Sequence, residues 1–407
     1  MSGTNPSIPS VGSDPREQPG EVAEPPGKIW FRTLDEAVIE ADRCIQCGSC
    51  VAACPSDSIG IDEAENRPTL VKMCTGCSSC WDYCPRSGLR YERVVESAQE
   101  ERGLDEPETV AARARSGDAR DAGQDGGGVT ALLATLIEAG EIDGAVVASE
   151  DPEEPLGGVA RLATTREELL NSAGSIYSQV MSLGELDGLI AESDLEDPSL
   201  ALVGTPCVIQ GASALDRYDR DVVEAIDLTV ALMCTRNFEA ERLAGRIAEH
   251  GVDPAAVDRL DVTEGVLYAY GDDGETLLEE SIDSFDSAGL RGCDECADFL
   301  GGAADLSVGN VASPDGRTTL VVRTERGQAA LEDASEGLDV EALEDTTALE
   351  KLANWNQRRA ESILPREYDP EGAIGISHAE HREAYDDTDR APEPLNPARV
   401  HQYEDWC

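Results

Sequence analysis

The sequence predicts an α/β protein, with a small α+β unit on its N-terminal side and a larger α/β domain after it. Three observations predict this. Eight of the thirteen cysteines fall within residues 44 to 84, in two copies of one spacing. From about residue 124 onward, apolar strand-like runs alternate with helical stretches. Four further cysteines, Cys207, Cys234, Cys293 and Cys296, each follow such a run or sit in a turn.

The 407 residues are enough for two or three domains. Residues 1 to 33 read as a disordered tail, because the segment to Gly27 is rich in Pro, Gly and Ser and has no apolar core of a signal peptide. Residues 34 to 92 form the cysteine-rich unit. Residues 93 to 117, charged and Ala-rich, read as helix and linker. Two halves of the α/β domain follow, at 118 to 200 and 201 to 335. Residues 336 to 407 read as an acidic C-terminal extension, a surface helix and an extended tail.

Asp and Glu number 83 against 32 Lys and Arg, a formal charge of −51. Only Lys28, Lys72 and Lys351 are lysines. Such an excess repels itself unless salt screens it. The acids run from residue 14 to residue 405 without clustering, which favours adaptation to high salt (a halophilic protein) over a docking surface for one basic partner. Phosphate would be repelled, so nucleic acid is excluded as a partner. The longest uncharged apolar run, near Gly126 to Ile137, is too short to span a bilayer. Cysteines at metal-ligand spacing fit a reducing cytoplasm better than a secreted disulfide framework. The expected location is cytoplasmic, free or peripheral to a membrane complex.

In chain order, residues 34 to 43 read as a helix entering the first cysteine loop. The first array is Cys44-x-x-Cys47-x-x-Cys50-x-x-x-Cys54-Pro55 and the second is Cys74-x-x-Cys77-x-x-Cys80-x-x-x-Cys84-Pro85. This is the spacing of a bacterial-type ferredoxin with two [4Fe–4S] clusters, in which the fourth cysteine of each array serves the other cluster. Cys44, Cys47, Cys50 and Cys84 are expected to hold one cluster, and Cys74, Cys77, Cys80 and Cys54 the other. A zinc site needs only paired C-x-x-C units, so the third close cysteine would be redundant. Ser58 to Ile61 and Thr69 to Lys72 read as short strands between the arrays. At Gln124 to Thr130 a glycine-rich turn opens an apolar-periodic helix, capped by Gly140 and followed by a strand at Gly144 to Ala148. Glycines at a helix start let backbone N–H groups approach an anion, although the same run also makes an ordinary tight turn. Strands are expected at Leu200 to Val203, Ala225 to Met233, Val266 to Tyr270, Asp305 to Val308 and Thr319 to Arg323, and a helix at Phe238 to His250.

Ends of adjacent strands converge, so Cys207, Cys234, Cys293 and Cys296 could form one site. From spacing alone the alternatives stay open. Cys207 and Cys234 suit buried small hydrophobes, and Cys293-x-x-Cys296 suits a redox dithiol or half a zinc site. His250, His378, His381 and His401 are the only histidines, and His378-x-x-His381 lies on a polar segment expected to be solvated surface. Cys407 is a terminal thiol with no partner implied.

The segments Gly204-Thr205-Pro206-Cys207-x-Ile209-Gln210, Met233-Cys234-x-x-Asn237-Phe238, Cys293-x-x-Cys296-x-Asp298-Phe299 running on to Ala304-Asp305-Leu306-Ser307-Val308-Gly309, and Val322-Arg323-Thr324-Glu325-Arg326-Gly327 resemble the beta-subunit family of coenzyme F420 hydrogenases and dehydrogenases. The resemblance covers roughly residues 118 to 330. The cysteine-rich unit in front resembles the arrangement in the F420H2-oxidising input subunit of quinone- or phenazine-reducing complexes. It implies a third [4Fe–4S] cluster on Cys207, Cys234, Cys293 and Cys296, a bound FAD, and coenzyme F420 as substrate. It also implies flavin contacts at Gly126, Gly127, Gly128, Thr130, Ser175, Tyr177 and Thr205. Two departures stand out: Ser175-Ile176-Tyr177 occupies the place of the family's frequent Ser-Lys-Tyr, and Gly309-Asn310 that of Gly-Asp.

These parts belong together chemically. A reduced deazaflavin gives up two electrons as a hydride, an iron–sulfur cluster accepts one, and a flavin can accept the pair and release electrons singly. The expected route runs from a small hydride carrier through FAD and three clusters to a partner protein or complex, or the reverse. No acid–base constellation is evident, and hydride transfer requires none. Two alternatives are a beta subunit of a formate dehydrogenase or hydrogenase, or a reductase of another substrate, and a flavin-free electron-transfer protein.

Overall fold

The computed structural model describes residues 29–363 (except 63 and 219), 375, 376 and 378–385, the side chains of 382 and 385 aside. Of the expected disordered tail, residues 1 to 33, the part to residue 28 lies outside the described residues, as do His401 and Cys407; the part from Ile29 is corrected, because Ile29 and Phe31 are buried in the core of the cysteine-rich unit and a helix begins at Phe31.

The N-terminal unit holds a helix pair, Phe31–Leu34 running into the wider turn Asp35–Ile39, and an antiparallel hairpin of β1, Ile59–Asp62, and β2, Arg67–Leu70. The first helix thus starts and stops earlier than the apolar pattern suggests. It breaks where Asp42 takes a left-handed conformation, φ 56°, which continues no helix. The remaining strands are β3 Gly103–Ala114, β4 Gly144–Glu150, β5 Gly158–Ala163, β6 Leu200–Gly204, β7 Ile226–Leu232, β8 Arg259–Thr263, β9 Val266–Tyr270, β10 Thr276–Ser281, β11 Leu306–Gly309, β12 Thr318–Thr324 and β13 Leu338–Ala342.

Eight of them form one mixed sheet, ordered β13-β3-β12-β11-β7-β6-β4-β5. Its centre, β4, β6, β7 and β11, is parallel, and antiparallel strands flank it on both sides. Parallel strands need both faces covered, and side chains divide accordingly. Ala145, Val147, Ala201, Val203, Leu228 and Val230 face the core beneath the Gly128–Ala139 helix. Val146, Leu200, Leu202 and Ala231 face the other way, toward the Pro206–Arg217 helix. Each fully buried Leu or Val there stabilises the fold by about 1.5–3 kcal/mol. Ile45, Cys47, Ala53, Tyr83 and Leu89 of the cysteine-rich unit belong to that second core, so the unit is seated on the sheet. A separate antiparallel meander, β8-β9-β10, packs with the Ala240–Glu249 helix. Its first turn, Glu264-Gly265, has φ 50° and 81°, the pair of positive values that a tight two-residue hairpin requires.

Two expectations about chain organisation are corrected. The 93–117 stretch is helix only to Arg102; from Gly103 it is β3, a strand inside the main sheet. Its first six residues are mostly exposed and charged, and the buried Ala111, Ala112 and Ala114 carry little strand propensity, so no alternation shows. The acidic C-terminal stretch likewise starts with β13, paired to β3, before its helix Thr347–Ile363.

Candidate iron–sulfur and cofactor site

The two cysteine arrays fold as near copies of each other. Gln46 and Gly76, each two residues after its first cysteine, have φ 50° and 68°, and Gly48 and Ser78 have φ 80° and 72°. A short helix follows each, Ser49–Ala52 and Ser79–Asp82. The left-handed residues turn backbone N–H groups onto sulfur: Gln46 N donates to Cys44 Sγ at 3.4 Å and Gly76 N to Cys74 Sγ at 3.4 Å. Ser58 N donates to Cys54 Sγ at 3.3 Å and Arg86 N to Cys84 Sγ at 3.4 Å. Such bonds favour charged sulfur and are one means by which a protein sets a cluster's potential.

The sulfurs sort into neighbourhoods. Cys84 is a charge neighbour of Cys44, Cys47 and Cys50, and Cys54, Cys74 and Cys77 are neighbours of Cys80. The last cysteine of each array therefore crosses to the other array. All twelve described cysteines are free thiols. Burial, reinforced by neighbouring thiols, pushes Cys44 up to about 12 and raises Cys47, Cys50 and Cys80. Buried thiols crowded this way are costly as bare thiolates, and a metal cluster is the group that would hold them deprotonated. The donor set fits a larger, multi-metal group better than lone tetrahedral zinc.

The second cysteine set lies at the C-terminal ends of neighbouring parallel strands. Cys207 sits in the first turn of the helix that follows β6, with Thr205 at the N-cap and Pro206 at the first helical position. Cys234 follows β7, and Cys293 and Cys296 lie on and just after the turn Arg291–Glu295. The loops are laced together: Cys234 N donates to Phe299 O at 3.1 Å and Leu290 N to Asn237 O at 2.9 Å. Cys207 is a charge neighbour of Cys234 and Cys293, and Cys234 of Cys293 and Cys296, so all four come together. Burial raises Cys207 and Cys293 as well. Cys207 also neighbours Cys47 of the first array. The two elements approach closely: a Cβ on Gly211, one turn after Cys207, would lie 2.0 Å from Ser49 Oγ.

Several segments quoted for their resemblance have structural work. Gln210 Nε2 donates to Asp298 Oδ2 at 2.9 Å, tying the Cys207 helix to the turn after Cys296. Buried Asp305 accepts from Thr229 N and Oγ1 at 2.8 and 2.6 Å and from Thr324 Oγ1 at 2.7 Å, fastening β11 to β7 and β12.

The residues implied as flavin contacts are spread along a seam. Tyr177 Oη accepts from Val262 N at 3.0 Å and shares an acidic surrounding with Asp125 and Asp261. Burial first, then Asp261, raises Asp125 to about 6. Thr205 is instead beside the second cysteine set, its Oγ1 3.2 Å from Cys207 Sγ and 3.2 Å from Gln179 Nε2. Gln179, buried, also bonds Asn237 and accepts from Asn66 Nδ2 of the hairpin at 3.0 Å through its backbone oxygen. Segment 175–180 thus joins the glycine turn to the cysteines, from exposed Ser175 at one end to buried Gln179 at the other. Thr130 is in the first turn of the Gly128–Ala139 helix. Gly126 and Gly127 have φ 79° and 66°, and a Cβ would lie 2.1 Å from Gly316 O and 2.0 Å from Ala119 O respectively. The chain's own crossings demand these two glycines.

Three basic side chains at the cysteines have no counterpart in the sequence motifs. Arg43 is fully buried and forks onto Glu295, Nε to Oε1 at 3.0 Å and Nη2 to Oε2 at 2.9 Å. Arg86 lies between the first array and the Cys293–Cys296 turn, its Nε donating to Gly292 O at 2.8 Å. Arg359, on the C-terminal helix, donates to Thr235 O at 2.6 Å and Cys293 O at 3.0 Å. Arg86 follows Cys84-Pro85 directly, so adjacency was an available signal; Arg359 offered none. The expected solvated His378-x-x-His381 surface is corrected too. His381 is 2% exposed, donates from Nε2 to Arg86 O at 2.9 Å, and packs edge-on to Trp81 with ring centroids 4.9 Å apart. The helix His378–Tyr385 turns both histidines onto Trp81, a tertiary contact that the polar local sequence does not reveal.

A dicluster-type unit set on an α/β sheet, with a second cysteine site at its parallel strand ends, defines an iron–sulfur oxidoreductase subunit. Comparison with known proteins specifies which. A 4Fe-4S dicluster domain matches residues 37–89, and the N-terminal and C-terminal models of the coenzyme F420 hydrogenase/dehydrogenase beta subunit match 109–186 and 197–346. The chain is 31% identical over 360 residues to an uncharacterized protein of Methanocaldococcus jannaschii, covering 79% of this chain and 97% of that one. It is 30% identical to the coenzyme F420-dependent sulfite reductase of the same organism, over 80% of this chain; it spans about half, 52%, of that longer relative. A component of the F420H2 dehydrogenase of Methanosarcina mazei is 27% identical over 72% of this chain and 82% of its own length. In a solved structure of the F420-reducing [NiFe] hydrogenase complex from Methanosarcina barkeri, one chain superposes with a TM-score of 0.60 at 26% identity, covering 65% of this chain and 92% of that one. The chain belongs to the coenzyme F420 hydrogenase/dehydrogenase beta subunit family.

Proposed function

We propose that this chain exchanges electrons between coenzyme F420 and a partner protein, using one FAD and three [4Fe–4S] clusters. The clusters would be held by Cys44, Cys47, Cys50 and Cys84, by Cys74, Cys77, Cys80 and Cys54, and by Cys207, Cys234, Cys293 and Cys296. The observation that carries the reading is the adjacency of Cys207 and Cys47, which joins the family's own cysteine site to the dicluster unit in one buried series. FAD, when bound, supplies the conversion of a hydride into single electrons. The seam from the Gly128 helix start through Tyr177 to Thr205 is where the chain would hold it. Tyr177 and Thr205 would orient the ring, and Gln179 would hold Thr205 beside Cys207. The series ends at Cys77, which is exposed, with exposed Trp30 against the adjacent Gly76 and exposed Met73 four residues earlier in the chain, and there a partner would meet the second cluster. Relatives named as parts of a hydrogenase and a dehydrogenase support a protein partner.

Two observations favour a second reading. Ile176, in the place of the family's frequent Lys, packs against Gly158, where an added Cβ would lie 2.6 Å from its side chain; an apolar group there suits a different hydride donor. The glycine turn is also accounted for by internal packing. Anaerobic purification in concentrated salt separates the readings. About twelve irons (three clusters of four) and one extractable FAD are expected, with bleaching by F420H2 and not by NADH. Eight irons and no flavin would refute the proposal. Reduction only by another donor would keep the cofactors and change the substrate.

A further inference from the structure

The second cysteine set and the first array meet across one buried side chain, Arg86. It is 3% exposed. Nε donates to Gly292 O and Nη1 to Pro85 O, both at 2.8 Å, and the guanidinium lies over the Tyr91 ring at 5.2 Å from its centroid. Tyr91 in turn pins the turn that carries Cys293 and Cys296: its Oη donates to Glu295 O and accepts from Ala297 N, each at 2.9 Å. Nη2 is buried as well. The residue stands between the two sets: its backbone N donates to Cys84 Sγ at 3.4 Å, and Gly292, which accepts from Nε, adjoins Cys293. A cluster on four thiolates is net negative and becomes more so on reduction, so a fixed cation beside it favours the reduced form.

We propose that Arg86 is a counter-ion shared between the first ferredoxin-type cluster and the cluster at Cys207, Cys234, Cys293 and Cys296, and that it raises the reduction potential of the latter. This rests on the three-cluster reading above. The guanidinium is held against Gly292 O and over Tyr91, which itself bonds the Cys293–Cys296 turn, whereas the first array is reached through the Arg86 backbone, so the later cluster is affected more. Arg86 is a positioning and tuning residue; it need not touch FAD or substrate.

The test is an EPR-monitored redox titration of anaerobically purified wild type, R86Q and R86K, with iron determined on each. The signal lost in Cys207→Ser identifies the cluster in question. R86Q is expected to lower that cluster's reduced-to-oxidised ratio at fixed potential about tenfold, equivalent to about 59 mV for one electron. R86K should stay near wild type, because it keeps the charge. Loss of four irons in R86Q with retention in R86K would also support a need for the charge. An unmoved midpoint in R86Q with about twelve irons overturns the proposal alone, as does equal loss of iron in both variants, which would make Arg86 a bracket only. Eight irons in the wild type would refute the three-cluster reading first.

Discussion

Removing the Arg43–Glu295 pair should open the seam between the dicluster unit and the second cysteine set. Arg43 immediately precedes Cys44, and Glu295 immediately precedes Cys296, so one ion pair sets the distance between two ligand loops 252 residues apart in sequence. Its side chains are 0% and 2% exposed. Arg43 also donates to Ala37 O and Arg86 O, both at 2.8 Å. Truncating one partner of a buried pair leaves an uncompensated charge, which costs about 3–5 kcal/mol. Glu295→Leu should therefore cost about that much, and Arg43→Met somewhat more, since two carbonyls lose their donor. The double variant should recover part of the loss, because no lone charge remains, giving a coupling of at least about 2 kcal/mol. The assay is urea unfolding of the four proteins in concentrated KCl, read on the first transition, together with iron retention. Single-variant losses below about 1 kcal/mol, or strict additivity in the double, would refute the assignment of this pair as the clamp.

Other expected outcomes follow from the same geometry. Asp125 is raised to about 6, so its ionisation is disfavoured in the folded state and stability is lost as pH rises from the carboxylate's ordinary range through 6. D125N should raise the thermal midpoint at pH 7 and leave it unchanged near pH 3.5, by well under the buried-charge range because the group is partly solvated; equal shifts at both pH values would contradict this. His381 is lowered to about 3 by burial and by Arg43, so it is neutral when docked. Its contribution is complete above the ordinary histidine value and fades as pH falls from about 6.5 toward 3. Trp81 fluorescence should therefore change in that window in wild type and not in H381F. Cys207→Ser should lose about four irons and keep about eight, the dicluster signals persisting. Dilution from molar KCl to low salt should unfold the protein through self-repulsion of its 83 acidic residues, monitored by circular dichroism; full stability at low salt would remove the halophilic reading.

Much of this architecture is legible because its constraints are local. A cysteine spacing dictates where left-handed residues must fall, and Gln46, Gly48, Gly76 and Ser78 fall there in both arrays. The parallel strands β4, β6 and β7 read clearly because burial on both faces leaves a continuous apolar run. What the sequence hid is either half-exposed or long-range. β3 and β13 pair with each other under charged side chains, and their ladder hydrogen bonds leave no compositional trace. Arg43, Arg86 and Arg359 look like three of many surface arginines in a chain that is acidic throughout. The partners that bring Arg43 and Arg86 to the second cysteine set lie more than 200 residues away, and half-buried Arg359 reaches it from a helix placed by the fold. The burial of His381 is hidden for the same reason: its local surroundings are polar, and Trp81 is supplied by tertiary structure.

The distribution of charge then gains a physical sense. The surface is overwhelmingly anionic, yet the described residues place guanidinium groups at the buried sulfur sites, with Arg67 near Cys44, Arg86 between the two sets and Arg359 near Cys234 and Cys293. An anionic exterior alone would oppose each added electron. In a low-dielectric interior, a nearby cation outweighs many distant carboxylates that water and salt screen. Losing these arginines would disfavour reduction at the very sites through which, on the proposed reading, electrons would pass.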